Sequence, residues 1–324
     1  MKLATYRSLA PGATGDRLGV LASDGRMADL RLAYAGYLSS KGEGRPHAMA
    51  DTRFPQDMTE FLKGGTPAMD AARSALEFTE EAIAKGREPE GPDGELIALD
   101  ANLVKLRAPI PRPGKFLHTG INFYSHLEET GHKKPDNVQA AGRFSSTLIG
   151  HEEPVVHPHQ TEELEWEPEV CYVIGENCKD VKPENALDVI VGYTVYNDVS
   201  ARDIQRTKAL GSVFLAKNLD TTNPLGPYLV TADEVPNPES LRLTCRVNGQ
   251  VKQDSDLAEM VFGVRELVAF FSQMSLEPGD IISSGTCGSV DRRKGPRIFL
   301  KNGDVMECEV EHVGVLRNSV VVTG

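Results

Sequence analysis

Apolar and polar positions alternate in two clear stretches of the C-terminal half. Leu241, Leu243, Cys245 and Val247 are separated by polar residues and run into Asn248-Gly249, a pair that tolerates the positive φ of a tight hairpin turn. Met306, Cys308 and Val310 alternate with Glu307, Glu309 and Glu311, which predicts a second half-buried strand. Between them the period becomes helical. Leu257, Met260, Val261, Val264, Val268 and Phe271 fall on one helix face, with Ser255 or Asp256 as the cap. At the other end, Leu3 to Leu32 carries short apolar runs broken by glycine, predicting a few short strands that feed a helix near Leu30 to Leu38. A clearer helix follows, with Thr66 as cap, Pro67 in the first turn, and Met69, Ala72, Leu76 and Ile83 on one face. Glu81 and Lys85 form a favourable i,i+4 pair in it, and Gly86 stops it.

Residues 86–95 (GREPEGPDGE) have no apolar period and read as a linker. A chain of 324 residues exceeds one typical compact domain. The expected division is a small N-terminal α/β domain with its linker (residues 1–100) and a main domain (residues 101–324). Long strands, few helices and no βαβ rhythm predict an α+β class that is mainly β, a mixed β-sandwich roll rather than a doubly wound sheet.

The composition is that of an ordinary globular protein, with 25% charged and 40% hydrophobic residues. No uninterrupted apolar run is long enough to span a bilayer, and the start shows no charged-then-apolar leader pattern, so a cytoplasmic location and no membrane partner are expected. A net charge of -12 opposes nucleic acid as a partner and requires local cations or a metal ion to attract an anionic substrate. The five cysteines form no CxxC pair and read as buried small hydrophobes in a reducing compartment.

Candidate chemistry concentrates in two places. Glu165, Glu167 and Glu169 alternate at the entry of the β-prone run Val170 to Ile174 and would share one strand face. Like charges so placed repel, and a divalent cation held by oxygen ligands removes that cost. The competing reading is a solvated edge strand marked by Pro168. Asp198, at the end of the apolar run Val189 to Tyr196, offers a further carboxylate, with a turn or cap as its competing role. In Asn122 to Glu129, His126 and Glu129 are three apart and would share a helix face, where a carboxylate raises the basicity of an imidazole. Surface placement is the commoner fate of such a pair.

The joint order of these segments resembles the fumarylacetoacetate hydrolase family. Asn122-Phe123-Tyr124-Ser125-His126, the Glu167/Glu169 pair and Gly192-Tyr193-Thr194 are followed by Asn197 to Asp203 and Lys217-Asn218-Leu219-Asp220. Then come Leu225 to Thr231 and Pro278 to Thr286, so the likeness runs from about Lys115 to Val320. The resemblance implies Glu167, Glu169 and Asp198 as ligands of Mg²⁺ or Mn²⁺, with Ca²⁺ as a further option. It implies a water-activating dyad of His126 and Glu129, a lysine at the reacting centre in Lys217, and substrate contacts from Arg202, Gln205 and Thr286. Tyr124 is a weaker substrate contact, because relatives carry their tyrosine where this chain has Phe123. Cys287 stands where relatives have proline, and residues 136–144 depart from the family's wording, so substrate identity does not carry over.

The implied activity is hydrolysis of a C–C bond in a small 2,4-dioxo acid of the acylpyruvate or fumarylpyruvate type, through a metal-bound enolate. Decarboxylation of oxaloacetate and isomerisation of a 2-hydroxy-dienedioate use the same enolate, and a non-catalytic ligand-binding homologue is the reading from another class. A homodimer is also implied. His157-Pro158-His159 reads as a loop and Trp166 as a packing residue. The Arg292-Arg293-Lys294 and Arg297 run reads as a solvated loop, with the pocket rim as its alternative.

Overall fold

The computed structural model describes residues 1–208, 213–290 and 297–322; Arg292, Arg293 and Lys294 lie outside them. A large mixed sheet forms the centre of the molecule. Its middle strands are Pro168–Ile174, Ile190–Asn197 and Asn223–Thr231, paired antiparallel in that order. Ile281–Ser283 joins the free edge of Pro168–Ile174, and Phe116–Gly120 pairs parallel with it. A second sheet of Gln250–Asp256, Arg242–Val247, Val305–Val310, Gly314–Val321 and Val155–Val156 packs across one face of the first. The α+β roll expected from the strand pattern is present.

The alternation within Pro168–Ile174 shows how the layers are held. Val170, Tyr172 and Ile174 enter the core shared with the second sheet, while Cys171 and Val173 enter the core under the N-terminal helices. Both faces are buried, so this is an interior strand and not a solvated edge. Pro168 is tolerated because it is the first residue of the strand.

The N-terminal strands Lys2–Ser8, Arg17–Leu21 and Met27–Asp29 extend the same large sheet, because Lys2 and Leu3 pair with Val230 and Leu229. The sheet therefore runs without a break across the boundary placed at residue 100. Helices Leu30–Ser40 and Gly65–Ala84 cover this end. The first starts where the sequence places it, capped by Asp29, whose carboxylate accepts the Leu32 N–H. The second starts one residue before Thr66, with Gly64 as a cap that makes no side-chain bond, so the Thr66 cap is corrected. It ends as expected before Gly86, which takes φ +65°.

The helix expected over Leu257 to Phe271 is split into a short 3-10 turn, Leu257–Glu259, and a helix, Val264–Phe271. The cause is Asn122. Its side chain accepts the Phe262 N–H at 2.9 Å and donates to the Phe262 carbonyl at 3.0 Å, which takes both groups from any helix. Among the described residues no helix is long and apolar enough to cross a membrane.

Candidate active site

Four carboxylates, Glu165, Glu167, Glu169 and Asp198, are at most 5% exposed and converge where the long central strands end. They do not share one strand face as the period of two predicts. The strand is interrupted at Trp166, itself buried as a packing residue, and Glu165 belongs to a separate two-stranded ribbon opposite Ser200. Glu165 and Glu167 both accept from Arg202, whereas Glu169 turns toward Gly285, whose N–H donates to its Oε2 at 3.1 Å.

The predicted repulsion is met first by buried side-chain cations. Arg143, Arg202 and Lys217 are each under 8% exposed. Arg143 Nε and Nη2 donate to Asp198 Oδ1 and Oδ2 at 2.8 and 2.7 Å. Lys217 Nζ bridges Glu167 and Asp198. Burial by itself raises the pKa of Glu167, but Arg202 and Lys217 outweigh it and hold the value down to about 2. Asp198 follows the same balance: burial raises it, and Arg143, Lys217 and His118 hold it well below the ordinary carboxylate value. Arg202 is raised despite burial, because Glu167 and Glu165 stabilise its charge.

The structure adds a residue that the sequence reading missed. His118, from strand Phe116–Gly120, is 2% exposed and lies between two of the carboxylates. Its Nδ1 is 3.6 Å from Glu169 Oε2 and 3.0 Å from Ser283 Oγ, and its Nε2 is 3.5 Å from Asp198 Oδ2. The signal available was a lone imidazole inside an apolar, β-prone run. Arg143 was also missed, because a single arginine between Gly142 and Phe144 has no periodic partner in the sequence.

These residues fit a divalent ion. Ligand atoms of His118, Glu169 and Asp198 lie within 4.8 Å of one another. Glu169 Oε1 is buried and has no hydrogen-bond partner among the described residues, which is costly for a carboxylate unless a cation meets it. A mixed nitrogen and oxygen set of this kind suits first-row divalent ions such as Mn²⁺ as well as Mg²⁺. Glu167, expected as the third ligand, has both oxygens engaged by Arg202 and Lys217.

His126 and Glu129 lie on the short helix Tyr124–Thr130, which docks on the loop after Ile281–Ser283. Ser289 N–H donates to Glu129 Oε2 at 3.0 Å, and Gly288 N–H donates to Ser125 Oγ at 3.1 Å. His126 is near enough to Glu167 to lower its pKa, and both line one small cavity with Arg202 and Thr286, so the two sequence constellations form one site. Gln205 Oε1 accepts from Arg202 Nη1 at 3.0 Å. Tyr124 is not brought in; it is 45% exposed and its hydroxyl faces Lys134 at 3.5 Å.

A buried carboxylate–cation cluster at the strand ends of a mixed β-roll defines the kind of site, and comparison with known proteins supplies the family. The fumarylacetoacetate (FAA) hydrolase C-terminal profile matches residues 115–321. The chain belongs to the fumarylacetoacetate hydrolase family. It is 37% identical over 272 residues to a mitochondrial oxaloacetate tautomerase of Xenopus laevis, covering 84% of this chain and 80% of that protein. It is similar in structure to 5-carboxymethyl-2-hydroxymuconate delta-isomerase from Mycobacterium smegmatis, with TM-score 0.68, 28% identity and 100% coverage of both chains. It is likewise similar to maleylpyruvate hydrolase from Sphingobium sp. SYK-6 in complex with manganese (II) ion and pyruvate, with TM-score 0.70, 26% identity and 100% coverage of both chains.

Proposed function

We propose that this chain is a divalent-metal-dependent enzyme that forms and reprotonates the enolate of a small 2-oxo acid. The observation that carries the reading is the convergence of His118, Glu169 and Asp198 beside Lys217, with Glu169 Oε1 left for a cation. The ion, Mg²⁺ or Mn²⁺, would be held by Glu169, Asp198 and His118, with Glu167 beside them, and supplies Lewis-acid polarisation of the substrate's oxo group.

The chain's own residues do the rest. Lys217 places a positive charge where negative charge develops on the substrate oxygen. Arg202, held rigidly between Glu165 and Glu167, orients the substrate together with Gln205 and Thr286. His126 exchanges the proton at the reacting carbon, with Glu129 supporting the helix that carries it. The docking of that helix on Gly288 and Ser289 fixes where His126 stands over the cavity.

Keto–enol tautomerisation or isomerisation of a small dicarboxylic 2-oxo acid is the outcome favoured by the tautomerase and isomerase relatives. C–C hydrolysis of an acylpyruvate-type acid is the second reading, favoured by the structural likeness to a maleylpyruvate hydrolase. Following the enol absorbance of oxaloacetate and of an acylpyruvate, with and without Mn²⁺, tests both. Metal-dependent loss of the oxaloacetate enol without pyruvate release supports the first, and stoichiometric release of pyruvate together with the carboxylic acid from the acylpyruvate supports the second. No metal-dependent change with any 2-oxo acid would revive a non-catalytic ligand-binding role. We place this activity in a cytoplasmic homodimer, which sedimentation of the purified chain and fractionation of the source cells would test.

A further inference from the structure

The cavity beside His126 has about 10 Å³ open to the centre of a water molecule, and its walls include Glu167, Arg202, Gln253 and Thr286. By that measure a single water requires roughly 10–15 Å³ and two to four polar partners. The walls are polar enough and the space admits one molecule.

Gln253 gives this cavity its direction. It comes from strand Gln250–Asp256 of the second sheet and is 3% exposed. Its amide nitrogen donates to Thr286 Oγ1 at 3.0 Å and to the Cys287 carbonyl at 2.6 Å. A carbonyl can only accept, so the second bond fixes which end of the amide is nitrogen. The other end, Oε1, is buried and accepts no hydrogen bond from any described residue. A buried amide oxygen without a donor is unfavourable, and in native proteins ordered water commonly supplies the missing partner.

We propose that this cavity is a single-water site in which Gln253 Oε1 accepts one proton of the water and aims the other at His126. The role of that water rests on the enolate reading; its location does not. In the reaction the water oxygen takes a proton from the substrate carbon while the water passes one of its own protons to a ring nitrogen of His126. The water is regenerated, one proton has moved, and the electron pair of the C–H bond remains on the substrate as enolate. Reprotonation runs the same transfers backward. Gln253 holds the remaining proton throughout, so the water cannot rotate out of line. Gln253 is thus a positioning residue, acting on the reaction through the water.

Two measurements test this. A high-resolution crystal structure of the full chain is expected to show an ordered water within hydrogen-bond distance of Gln253 Oε1. A dry cavity, or Oε1 bonded to protein, overturns the site. In the Mn²⁺-loaded protein, Gln253→Met keeps length and removes the acceptor; kcat for enol–keto exchange is expected to fall about tenfold with KM unchanged. Unchanged kcat, or kcat and KM altered together, overturns the positioning role. Failure of the enolate reading would show instead as no turnover by the native protein, whatever the crystal shows at Gln253.

Discussion

Arg143 and Asp198 form a buried two-point ion pair, with Nε and Nη2 of the guanidinium 2.8 and 2.7 Å from the two carboxylate oxygens. Both side chains are fully shielded from solvent. Asp198 also accepts from Tyr196 and Lys217, so the carboxylate most central to the site is held in one orientation by three separate elements. That orientation puts Oδ2 beside His118.

Removing the guanidinium leaves Asp198 short of its strongest partner in a medium that penalises unpaired charge. Arg143→Met is expected to cost about 3–5 kcal/mol of stability, with Arg143→Lys costing less because it keeps the charge and loses only the fork. Thermal denaturation of the two variants checks this. Equal midpoints for Met and native protein would refute it.

His118 offers the site a nitrogen donor. His118→Ala is expected to weaken Mn²⁺ binding by about 10–100-fold in titration calorimetry. The nitrogen hyperfine coupling in the Mn²⁺ electron-spin-echo spectrum should disappear with it. An unaltered affinity and spectrum would place His118 outside the coordination shell.

Loss of the imidazole at His126 removes the proposed proton acceptor without touching the core. His126→Ala is expected to reduce metal-dependent turnover of the 2-oxo acid by about 10²–10⁴-fold while the melting temperature stays within error. Turnover at the native rate would remove His126 from the mechanism.

Gly285 adopts φ +79°, and a Cβ placed there would meet the Thr119 carbonyl oxygen at 2.7 Å. Its N–H also holds Glu169. Gly285→Ala is therefore expected to cost about 1–3 kcal/mol and to weaken metal binding as well. Stability and metal affinity both matching the native protein would count against this account.

Several buried acids keep their protons in the folded state. Burial raises the Cys287 thiol and the Tyr193 phenol each to about 12, and raises Tyr172 and Cys245 well above their ordinary values. Unfolded thiols and phenols release their protons at about pH 8.5 and 10. The native state therefore binds more protons than the unfolded state, and stability falls as pH rises. The contribution of Cys287 and Tyr193 is complete below about pH 8.5 and about pH 10 respectively and is lost progressively up to about pH 12. The denaturant midpoint at pH 10 should lie below that at pH 7; a flat profile would contradict the burial argument.

The chain's own order of residues determined the parts whose physics is local. Strand alternation at Leu241–Val247 and Met306–Val310 appears as two strands, paired with each other in register from Leu243–Val310 to Val247–Met306. The stop at Gly86 needs only a positive φ. Glu167, Glu169, Asp198, Lys217, Arg202, His126 and Thr286 were legible because chemistry-bearing residues lie in a distinctive sequence order, and the fold collects them. What sequence could not decide depends on partners distant in the chain. Asn122 breaks a helix 140 residues away by taking the Phe262 backbone bonds. His118 and Arg143 reach Asp198 from strands and loops that no period links to it. The repulsion among carboxylates is visible in one dimension, but its neutralisation is a matter of which cations the tertiary packing brings within hydrogen-bond reach, and only the folded chain sets those distances.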